Sequence, residues 1–498
     1  MELHELSLSQ ASRLLQSRQV SSMELTKAVL KQQEKTEPVL HCFITPTPEL
    51  ALSQARAADQ RLAQGQSTPL TGIPLGLKDS ICYQGVRTTA GSRMLHNFVP
   101  PYSATLANKL QTAGMVLVGK QNLDEFAMGS TTESSYFGPT RNPWDITAFP
   151  GGSSGGSAAS LAIGSCLGAI GSDTGGSIRQ PASHCGVIGF KPSYGLVSRY
   201  GLIGFASSLD QGGPLGRDME DVALMLQAIV GYDELDQTSI PYEAPDYSQA
   251  LKQPVKGLRL GLPQEYFVKG LEPEVERTVR RAVEKLASFG VQVLPITLPH
   301  TEYLISTYYI IATAETSSNL ARYDGIKFGF SAQNNNSTLE DLYLQTRSQG
   351  LGQEVIRRIM LGTYVLSAGY YDAYYAKASQ ARTLIMNDFT QAFKQVDAIA
   401  APIAPHAALD LGKSDDTPIM IYLRDIFTLS SNIAGLPAIS LPAGFNSRQR
   451  PIGLQLMAPR FQENTLLALG AAFQLHTDFH QARPQTFAPG GTAANQMA

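Results

Sequence analysis

Cysteine is scarce in this sequence, and so is charge. The four cysteines, at positions 42, 82, 166 and 185, lie far apart and form no CxxC pair. Their scarcity excludes a disulfide scaffold and a zinc cluster held by thiolates, and it is typical of a reducing compartment. Charged residues make up 16% of the 498 positions, and 39 Lys and Arg nearly balance 42 Asp and Glu. This composition gives no broad basic surface for nucleic acid.

The sequence also lacks an unbroken apolar run of the length that a membrane span needs, about 20 residues. The longest stretch without charge covers residues 146–172, but Pro150 and the glycines and serines of 151–156 interrupt it. The first ten residues, MELHELSLSQ, carry acidic groups where a signal peptide has basic groups and then an apolar segment. We therefore expect a cytoplasmic protein that does not contact a membrane.

Short apolar runs alternate with helix-like segments, which favours an α/β layer architecture. The first forty residues have helical spacing, with a capping-box pattern at Ser21 and Glu24 and a stop at Pro38. Apolar runs bounded by glycine or proline predict strands at 73–78, 115–120, 167–171, 398–401, 438–442 and 452–457. The spacing predicts further helices at 103–112, 122–127, 275–289, 308–322, 355–376 and 378–393.

Glycine and serine are concentrated between residues 126 and 178, where 53 residues include 11 Gly, 10 Ser and four charged side chains. The apolar stretch 158–163 interrupts this segment, so we expect it to be buried rather than a flexible linker. Ser153 and Ser177 each stand in a glycine-rich frame, and Ser177 follows a strand-like run. A strand, a glycine turn and a helix start would gather backbone N–H groups around an oxyanion. A tight turn with an N-cap serine has the same pattern.

A serine nucleophile needs a base, and the sequence offers two kinds. None of the eight histidines stands in a local pattern that supports this role. Lys78 ends the apolar run 73–78, and burial in an apolar pocket can lower the pKa of a lysine by several units. Taken alone, Lys78 is better explained as a surface or salt-bridged lysine. Its interpretation as a base therefore depends on its combination with the two serines.

Three segments together resemble the amidase signature family, in the order in which that family has them. They are GIPLGLKD around Lys78, PGGSSGGSAA around Ser153 and GSDTGGSIRQPA around Ser177. Three more segments, 122–133, 189–201 and 208–215, resemble one branch of the family, the glutamine-hydrolysing subunits of tRNA-dependent amidotransferases. The resemblance runs from the N-terminal helices to about residue 480.

The resemblance implies an α/β amidase-signature fold, in which a mixed central β-sheet lies between α-helical layers. It implies an N-terminal helical segment, residues 1–60, packed on one amidase-signature domain of residues 61–485. Residues 486–498 are rich in glycine, alanine and polar residues, and we expect them to form a flexible tail.

For the chemistry, the resemblance implies a Ser–Ser–Lys triad. Ser177 would be the nucleophile that carries the acyl group as an ester, and Lys78 would be the base. Ser153, placed after a cis peptide bond from Gly152, would relay the proton. A neutral, buried Lys78 could accept the Ser177 proton through Ser153 and return it to the leaving ammonia.

The turn before Ser177 is expected to stabilise the oxyanion. By resemblance, the backbone N–H groups of Thr174, Gly175 and Gly176 would form the oxyanion hole, which is commonly worth about 3 kcal/mol per donor. Asp173 and Arg179 flank this turn, and we interpret them as a structural charge pair that braces it rather than as catalytic residues.

A free glutamine is a zwitterion, so its site needs one cation and one anion. By resemblance, Arg358 would bind the α-carboxylate, Asp425 would bind the α-ammonium group and Tyr308 would line the pocket. The sequence does not decide between Arg357 and Arg358, or between Tyr308 and Tyr309, as the residue that faces the substrate.

The implied reaction is hydrolysis of glutamine to glutamate and ammonia, with no metal and no cofactor in this chain. Ammonia would pass to a partner, the B subunit, which would use ATP and Mg²⁺ to amidate misacylated Glu-tRNA(Gln) or Asp-tRNA(Asn). A small C subunit would complete a heterotrimer. Two alternatives stay open: a free-standing amidase that acts on another amide, and an inactive scaffold that only assembles a complex.

Overall fold

The computed structural model describes residues 2–267, 270–332, 338–412 and 424–487. Eleven strands within these residues form one mixed sheet. The strands are β1 (Phe43–Pro46), β2 (Pro74–Lys78), β3 (Val116–Gln121), β4 (Gly168–Asp173), β5 (Ile188–Lys191), β6 (Gln211–Gly216), β7 (Arg259–Pro263), β8 (Gln292–Ile296), β9 (Ala398–Pro402), β10 (Ala438–Phe445) and β11 (Pro451–Met457).

Helices flank this sheet. They are α1 (Leu8–Gln16), α2 (Ser22–Leu40), α3 (Pro48–Ala63), α4 (Thr105–Thr112), α5 (Gly155–Ile163), α6 (Arg179–Cys185), α7 (Met219–Ile229), α8 (Tyr247–Ala250), α9 (Pro273–Ser288), α10 (Leu304–Asn319), α11 (Leu339–Gly350), α12 (Gln353–Leu366), α13 (Lys377–Ala392), α14 (Leu429–Ile433) and α15 (Glu463–Leu475), with a π-helical turn at Tyr371–Ala376. The predicted α/β fold with a mixed central sheet is confirmed.

The strand order is β1-β3-β2-β4-β6-β5-β10-β11-β9-β7-β8. β2 runs parallel to β3 and β4, and β7 runs parallel to β8 and β9, while the other neighbouring pairs are antiparallel. Because parallel strands end at the same sheet edge, the ends of β2 and β4 lie side by side. Lys78 ends β2, and the turn that leads to Ser177 follows β4.

All six predicted strands are present, within three residues of their predicted ends. Five strands were not predicted, and β6 shows the reason. Its sequence, QGGPLG, has a single large apolar side chain, so no apolar run marks it. The strand is buried because its glycines allow close approach: a Cβ atom on Gly213 would lie 2.2 Å from the Phe190 carbonyl oxygen.

Pro38 does not stop the second helix, contrary to prediction. α2 continues to Leu40 and ends at His41, which has a left-handed φ of 53°. The fixed φ of proline is compatible with a helix, and only one backbone hydrogen bond is lost inside it. The Glu37 carboxylate then accepts the N–H groups of Cys42 and Phe43, at 3.1 and 2.9 Å, which stabilises the chain where the helix ends.

Two other helix predictions were wrong in extent. Residues 122–127 form only a short 3₁₀ turn, Glu125–Ala127, with a positive φ of 50° at Phe126. Here the Asp124 carboxylate accepts backbone N–H groups of the following loop, and such bonds compete with a helix. The predicted helix 355–376 is two elements, because the chain leaves the helical path between Leu366 and Tyr371, where Gly369 has a φ of 85°.

The N-terminal helices are packed on the body of the protein through buried apolar residues such as Leu8, Leu15, Leu25 and Val29. The proposed boundaries at residues 60 and 485 stay predictions, and residues 488–498 of the expected tail lie outside the described residues. Within the described part of the chain, no helix combines the length and apolar character that crossing a membrane requires.

Candidate active site

Lys78 is fully buried at the end of β2. Its Nζ atom donates to Ser153 Oγ at 2.7 Å and to the Ser172 carbonyl oxygen at 3.2 Å. Burial lowers the pKa of Lys78 to about 7, although the nearby carboxylates of Asp124, Asp173 and Asp210 act in the opposite direction. A large fraction of this lysine is therefore neutral at physiological pH and able to accept a proton.

Ser153 lies on a loop that leads into α5, after a cis peptide bond from Gly152. The next residue, Ser154, donates its backbone N–H to the Ser177 carbonyl oxygen at 3.1 Å, which joins the two serine loops. Lys78 and Ser153 are fully buried, whereas Ser177 keeps 7% of its surface exposed. Of the three residues, Ser177 is therefore the one that a substrate reaches most easily.

Side chains hold the turn between β4 and Ser177 from two sides. Thr174 Oγ1 donates to Asp210 Oδ1 at 2.6 Å, and Thr428 Oγ1 donates to the Gly175 carbonyl oxygen at 2.6 Å. The Gly176 N–H donates to Asp173 Oδ1 at 2.9 Å. Because Asp173 already accepts this N–H, the predicted oxyanion hole depends mainly on the backbone N–H groups of Thr174 and Gly175.

The expected charge pair below the turn is present. Arg179 Nη2 lies 2.9 Å from Asp173 Oδ1, and both side chains are completely buried. Burial would raise the pKa of Asp173, but the Arg179 guanidinium reverses this effect and holds the pKa well below its ordinary value. Asn432 donates to the same carboxylate at 2.9 Å. The pair therefore connects β4, α6 and α14 and braces the turn that leads to Ser177.

Arg358 is the inward-facing member of the arginine pair on α12. It is 4% exposed, and its Nε donates to Glu354 Oε1 at 2.8 Å. Its guanidinium carbon lies 5.3 and 5.5 Å from the ring centres of Phe205 and Tyr309. The Arg357 side chain is 41% exposed. A planar cation held in this way can bind a carboxylate with little loss of freedom.

Both candidate tyrosines of α10 reach the site, by different routes. The Tyr308 hydroxyl touches the oxyanion turn, since a Cβ atom on Gly175 would lie 2.6 Å from it. Tyr309 donates to Asp425 Oδ2 at 3.4 Å, and its ring also contacts Arg358. Burial raises the pKa of Asp425 to about 7. The structure thus brings together a cation, an anion and a hydroxyl beside the catalytic turn.

A cavity of about 390 Å³ lies next to these residues, and its size is typical of a small-molecule site. Its charged lining consists of Asp124, Glu125, Glu133, Glu354, Arg357, Arg358, Asp410 and Arg424. The sequence analysis missed the acidic residues of this set, although one of them, Glu133, stands in the segment 126–178, which has few charges. Within the described residues, no group of three or more His, Cys, Asp or Glu side chains could hold a metal ion.

Comparisons with known proteins agree with this geometry. The family described as Amidase matches residues 24–467. The sequence is 56% identical to the A subunit of the glutamyl-tRNA(Gln) amidotransferase from Desulfatibacillum aliphaticivorans, and the match covers 97% of this chain and all of the relative.

Solved structures resemble the chain over nearly its whole length. The A subunit of the glutamyl-tRNA(Gln) amidotransferase from Thermotoga maritima is 38% identical, with a TM-score of 0.78 and 95% coverage of both chains. A bacterial aryl acylamidase of the amidase signature family is 25% identical, with a TM-score of 0.84 and coverage of 97% and 100%. The matched range, these similarities and the arrangement of Lys78, Ser153 and Ser177 lead to one conclusion: the chain belongs to the amidase family.

Proposed function

We propose that this chain is the glutamine-hydrolysing A subunit of a tRNA-dependent amidotransferase. The observation that carries the proposal is the placement of Arg358 and Asp425 around the same tyrosine, Tyr309, because these opposite charges fit the α-carboxylate and α-ammonium groups of a free amino acid. Tyr309 contacts both of them. The similarity to subunits named glutamyl-tRNA(Gln) amidotransferase supports the same substrate.

The proposed reaction begins with Lys78 in its neutral form. Lys78 accepts a proton from Ser153 as Ser153 accepts the proton of Ser177, and Ser177 Oγ attacks the carboxamide carbon of glutamine. The N–H groups of Thr174 and Gly175 stabilise the negative oxygen that forms. The proton then returns to the leaving nitrogen, the C–N bond breaks and ammonia leaves. Water then attacks the ester carbon and gives a proton to Lys78 in its neutral form; the C–O bond to Ser177 breaks, the proton returns to Ser177 Oγ and glutamate leaves.

The ammonia would be used outside this chain. In the proposed complex, a cytoplasmic heterotrimer, the B subunit binds the misacylated Glu-tRNA(Gln) or Asp-tRNA(Asn) and activates its side-chain carboxylate with ATP and Mg²⁺. The C subunit completes the assembly. The similarity to proteins named as subunits supports a multi-subunit enzyme.

A second candidate is a free-standing amidase, because the aryl acylamidase has the same fold, with a TM-score of 0.84, although it is only 25% identical. Ammonia release from glutamine separates the two. We expect the purified chain, assembled with the B and C subunits, to release ammonia, and Ser177→Ala to lower the rate at least about 1,000-fold. Ser165→Ala is the control, because Ser165 is also buried but bonds to Thr36.

Ammonia release that survives in Ser177→Ala would contradict the nucleophile. Hydrolysis of aryl amides without hydrolysis of glutamine, even with both partners present, would contradict the amidotransferase and support the free-standing amidase.

A further inference from the structure

Four hydrogen bonds hold the backbone around Ser153, two from residues of the segment 124–132 and two from residues of the segment 177–180. They are Thr132 Oγ1 to the Gly151 oxygen at 2.8 Å, the Gly152 N–H to Gln180 Oε1 at 3.0 Å, the Asp124 N–H to the Ser153 oxygen at 3.2 Å and the Ser154 N–H to the Ser177 oxygen at 3.1 Å. Ser153 Oγ itself is held by Lys78. The position of the relay hydroxyl therefore depends on these contacts.

The contact made by Gln180 comes from a side chain and links the loop of Ser153 to α6, the helix that follows Ser177. Gln180 is the second residue of α6 and stands three positions after Ser177. Its side chain reaches across to the Gly152 N–H, on the peptide unit just before the Gly152–Ser153 bond. Together with the Ser154–Ser177 backbone bond, it sets the separation between the two serine loops.

Close packing at Gly151 leaves little room for the backbone of the Ser153 loop to shift. A Cβ atom on Gly151, which has a φ of 85°, would lie 2.8 Å from Pro181 Cα and 3.2 Å from Gln180 Oε1. The loop backbone thus rests directly on the first turn of α6. No space is left between them for solvent. A change in the length or polarity of the Gln180 side chain would therefore displace the backbone of the Ser153 loop.

The burial of Gln180 indicates that the side chain stabilises the structure through its carbonyl oxygen. The side chain is 1% exposed, and its Nε2 atom has no hydrogen-bond partner among the described residues. A buried amide nitrogen without a partner costs free energy that an apolar side chain of the same shape would avoid. The hydrogen bond that Oε1 accepts from the Gly152 N–H offsets this cost.

We propose that Gln180 is a positioning residue for the triad: its carbonyl oxygen holds the Gly152 N–H and so keeps the Ser153 hydroxyl between Lys78 and Ser177. This inference rests on the proposed function through the relay role of Ser153. Arg358 and Asp425 lie on other elements, so the loss of the Gln180 contact is expected to slow proton transfer without weakening substrate binding.

The test compares Gln180→Met, which keeps the length but removes the acceptor, with Gln180→Glu, which keeps an acceptor oxygen. Gln211→Met is the matched control, because Gln211 is also buried and its Oε1 accepts a backbone N–H, that of Gly195, at 3.0 Å. In the assembled complex we expect Gln180→Met to lower kcat for glutamine about 10- to 100-fold with KM changed less than about twofold. Gln180→Glu is expected to recover part of the loss, and the control to stay within about threefold.

A second readout does not depend on the substrate. The rate at which phenylmethylsulfonyl fluoride modifies Ser177 reports how well the triad activates this hydroxyl, and we expect Gln180→Met to slow it about tenfold or more. Failure of the wild type on glutamine, with the modification still slowed in Gln180→Met, would contradict the proposed substrate but support the positioning role. An unchanged kcat and modification rate in Gln180→Met, or an equal loss in the control, would overturn the positioning role.

Discussion

The environment of Lys78 suits its proposed role as the base. Complete burial disfavours the ammonium form, and the carboxylates of Asp124, Asp173 and Asp210 favour it. The result is a pKa of about 7, against an ordinary value of 10.5. A lysine in this range is partly neutral at physiological pH and still basic enough to take a proton from a hydroxyl relay.

The pH dependence of the reaction follows from this balance. Only neutral Lys78 accepts a proton, and only ionised Asp425, whose pKa is also raised to about 7, binds the ammonium group. Because both groups must be deprotonated, we expect kcat/KM for glutamine to level off above about pH 7 and to fall by up to about 100-fold per unit well below it. Lys78→Arg, which keeps its charge throughout, should be inactive at every pH. A profile that stays flat down to pH 5.5 would contradict the role of Lys78.

Substrate recognition makes a second prediction at this scale. Arg358→Ala should raise KM for glutamine about 10- to 100-fold, because a charge-assisted hydrogen bond is worth about 1.5–3 kcal/mol. Asp425→Asn should act similarly, whereas neither change should slow hydrolysis of a neutral amide as strongly. Arg357→Ala is the matched control, since its side chain is 41% exposed. Steady-state kinetics with glutamine and propionamide would check this, and equal effects of Arg357→Ala and Arg358→Ala would argue against the assignment.

The sequence could supply the identities of these residues but not their orientations. The motifs predict a site at Lys78, Ser153 and Ser177; in the structure Lys78 contacts the Ser153 hydroxyl, and a backbone hydrogen bond joins the loops of Ser153 and Ser177. The contact of Tyr309 with Asp425 could not be predicted, because neighbouring helix residues point about 100° apart and the sequence does not show which direction faces the cavity. The same holds for Glu354, whose role depends on the rotamer of Arg358.

At the scale of elements, two parallel strands and two helix starts position the residues of the proposed triad. Lys78 is the last residue of β2, and Ser177 lies in the turn after β4. The helices α5 and α6 begin just after Ser153 and Ser177. The buried Asp173–Arg179 pair braces the turn that leads to Ser177. Each connection is short, so the geometry of the site is tied to the stability of the sheet.

This bracing predicts a large effect on stability. Arg179→Met leaves Asp173 charged and buried without its partner, which typically costs about 3–5 kcal/mol. Arg259→Met is the control, because its pair with Asp397 has side chains that are 39% and 33% exposed, and such pairs are worth about 0–1 kcal/mol. Urea unfolding of both variants measures the difference. Equal losses of unfolding free energy would mean that the buried pair does not brace the fold.

Element boundaries were predicted well where apolar runs mark them and poorly where side chains override the pattern. β2 and β4 stand out as apolar runs, and both were predicted. The segment after Asn122 has helical spacing, but the Asp124 carboxylate takes up the N–H groups of Thr131 and Thr132 and turns the chain into a loop. β6 has almost no apolar side chain and is buried through its glycines. Such effects depend on contacts that only the folded chain makes.

At the scale of the whole molecule, the fold and the function are separable. The amidotransferase subunit of Thermotoga maritima and the aryl acylamidase both match this chain over at least 95% of its length, although their names describe different substrates. The shared sheet can therefore support the triad for many amides. The proposed substrate of this chain depends instead on Arg358 and Asp425, both of which contact Tyr309.

The most direct test of the account supplies the assembled complex with misacylated Glu-tRNA(Gln), ATP, Mg²⁺ and one of two nitrogen sources. We predict that Ser177→Ala abolishes formation of Gln-tRNA(Gln) from glutamine but leaves its formation from ammonium chloride near the wild-type rate, because this chain only releases the ammonia that its partner uses. Glutamine-dependent amidation that persists in Ser177→Ala, or an equal loss with both nitrogen sources, would contradict the account.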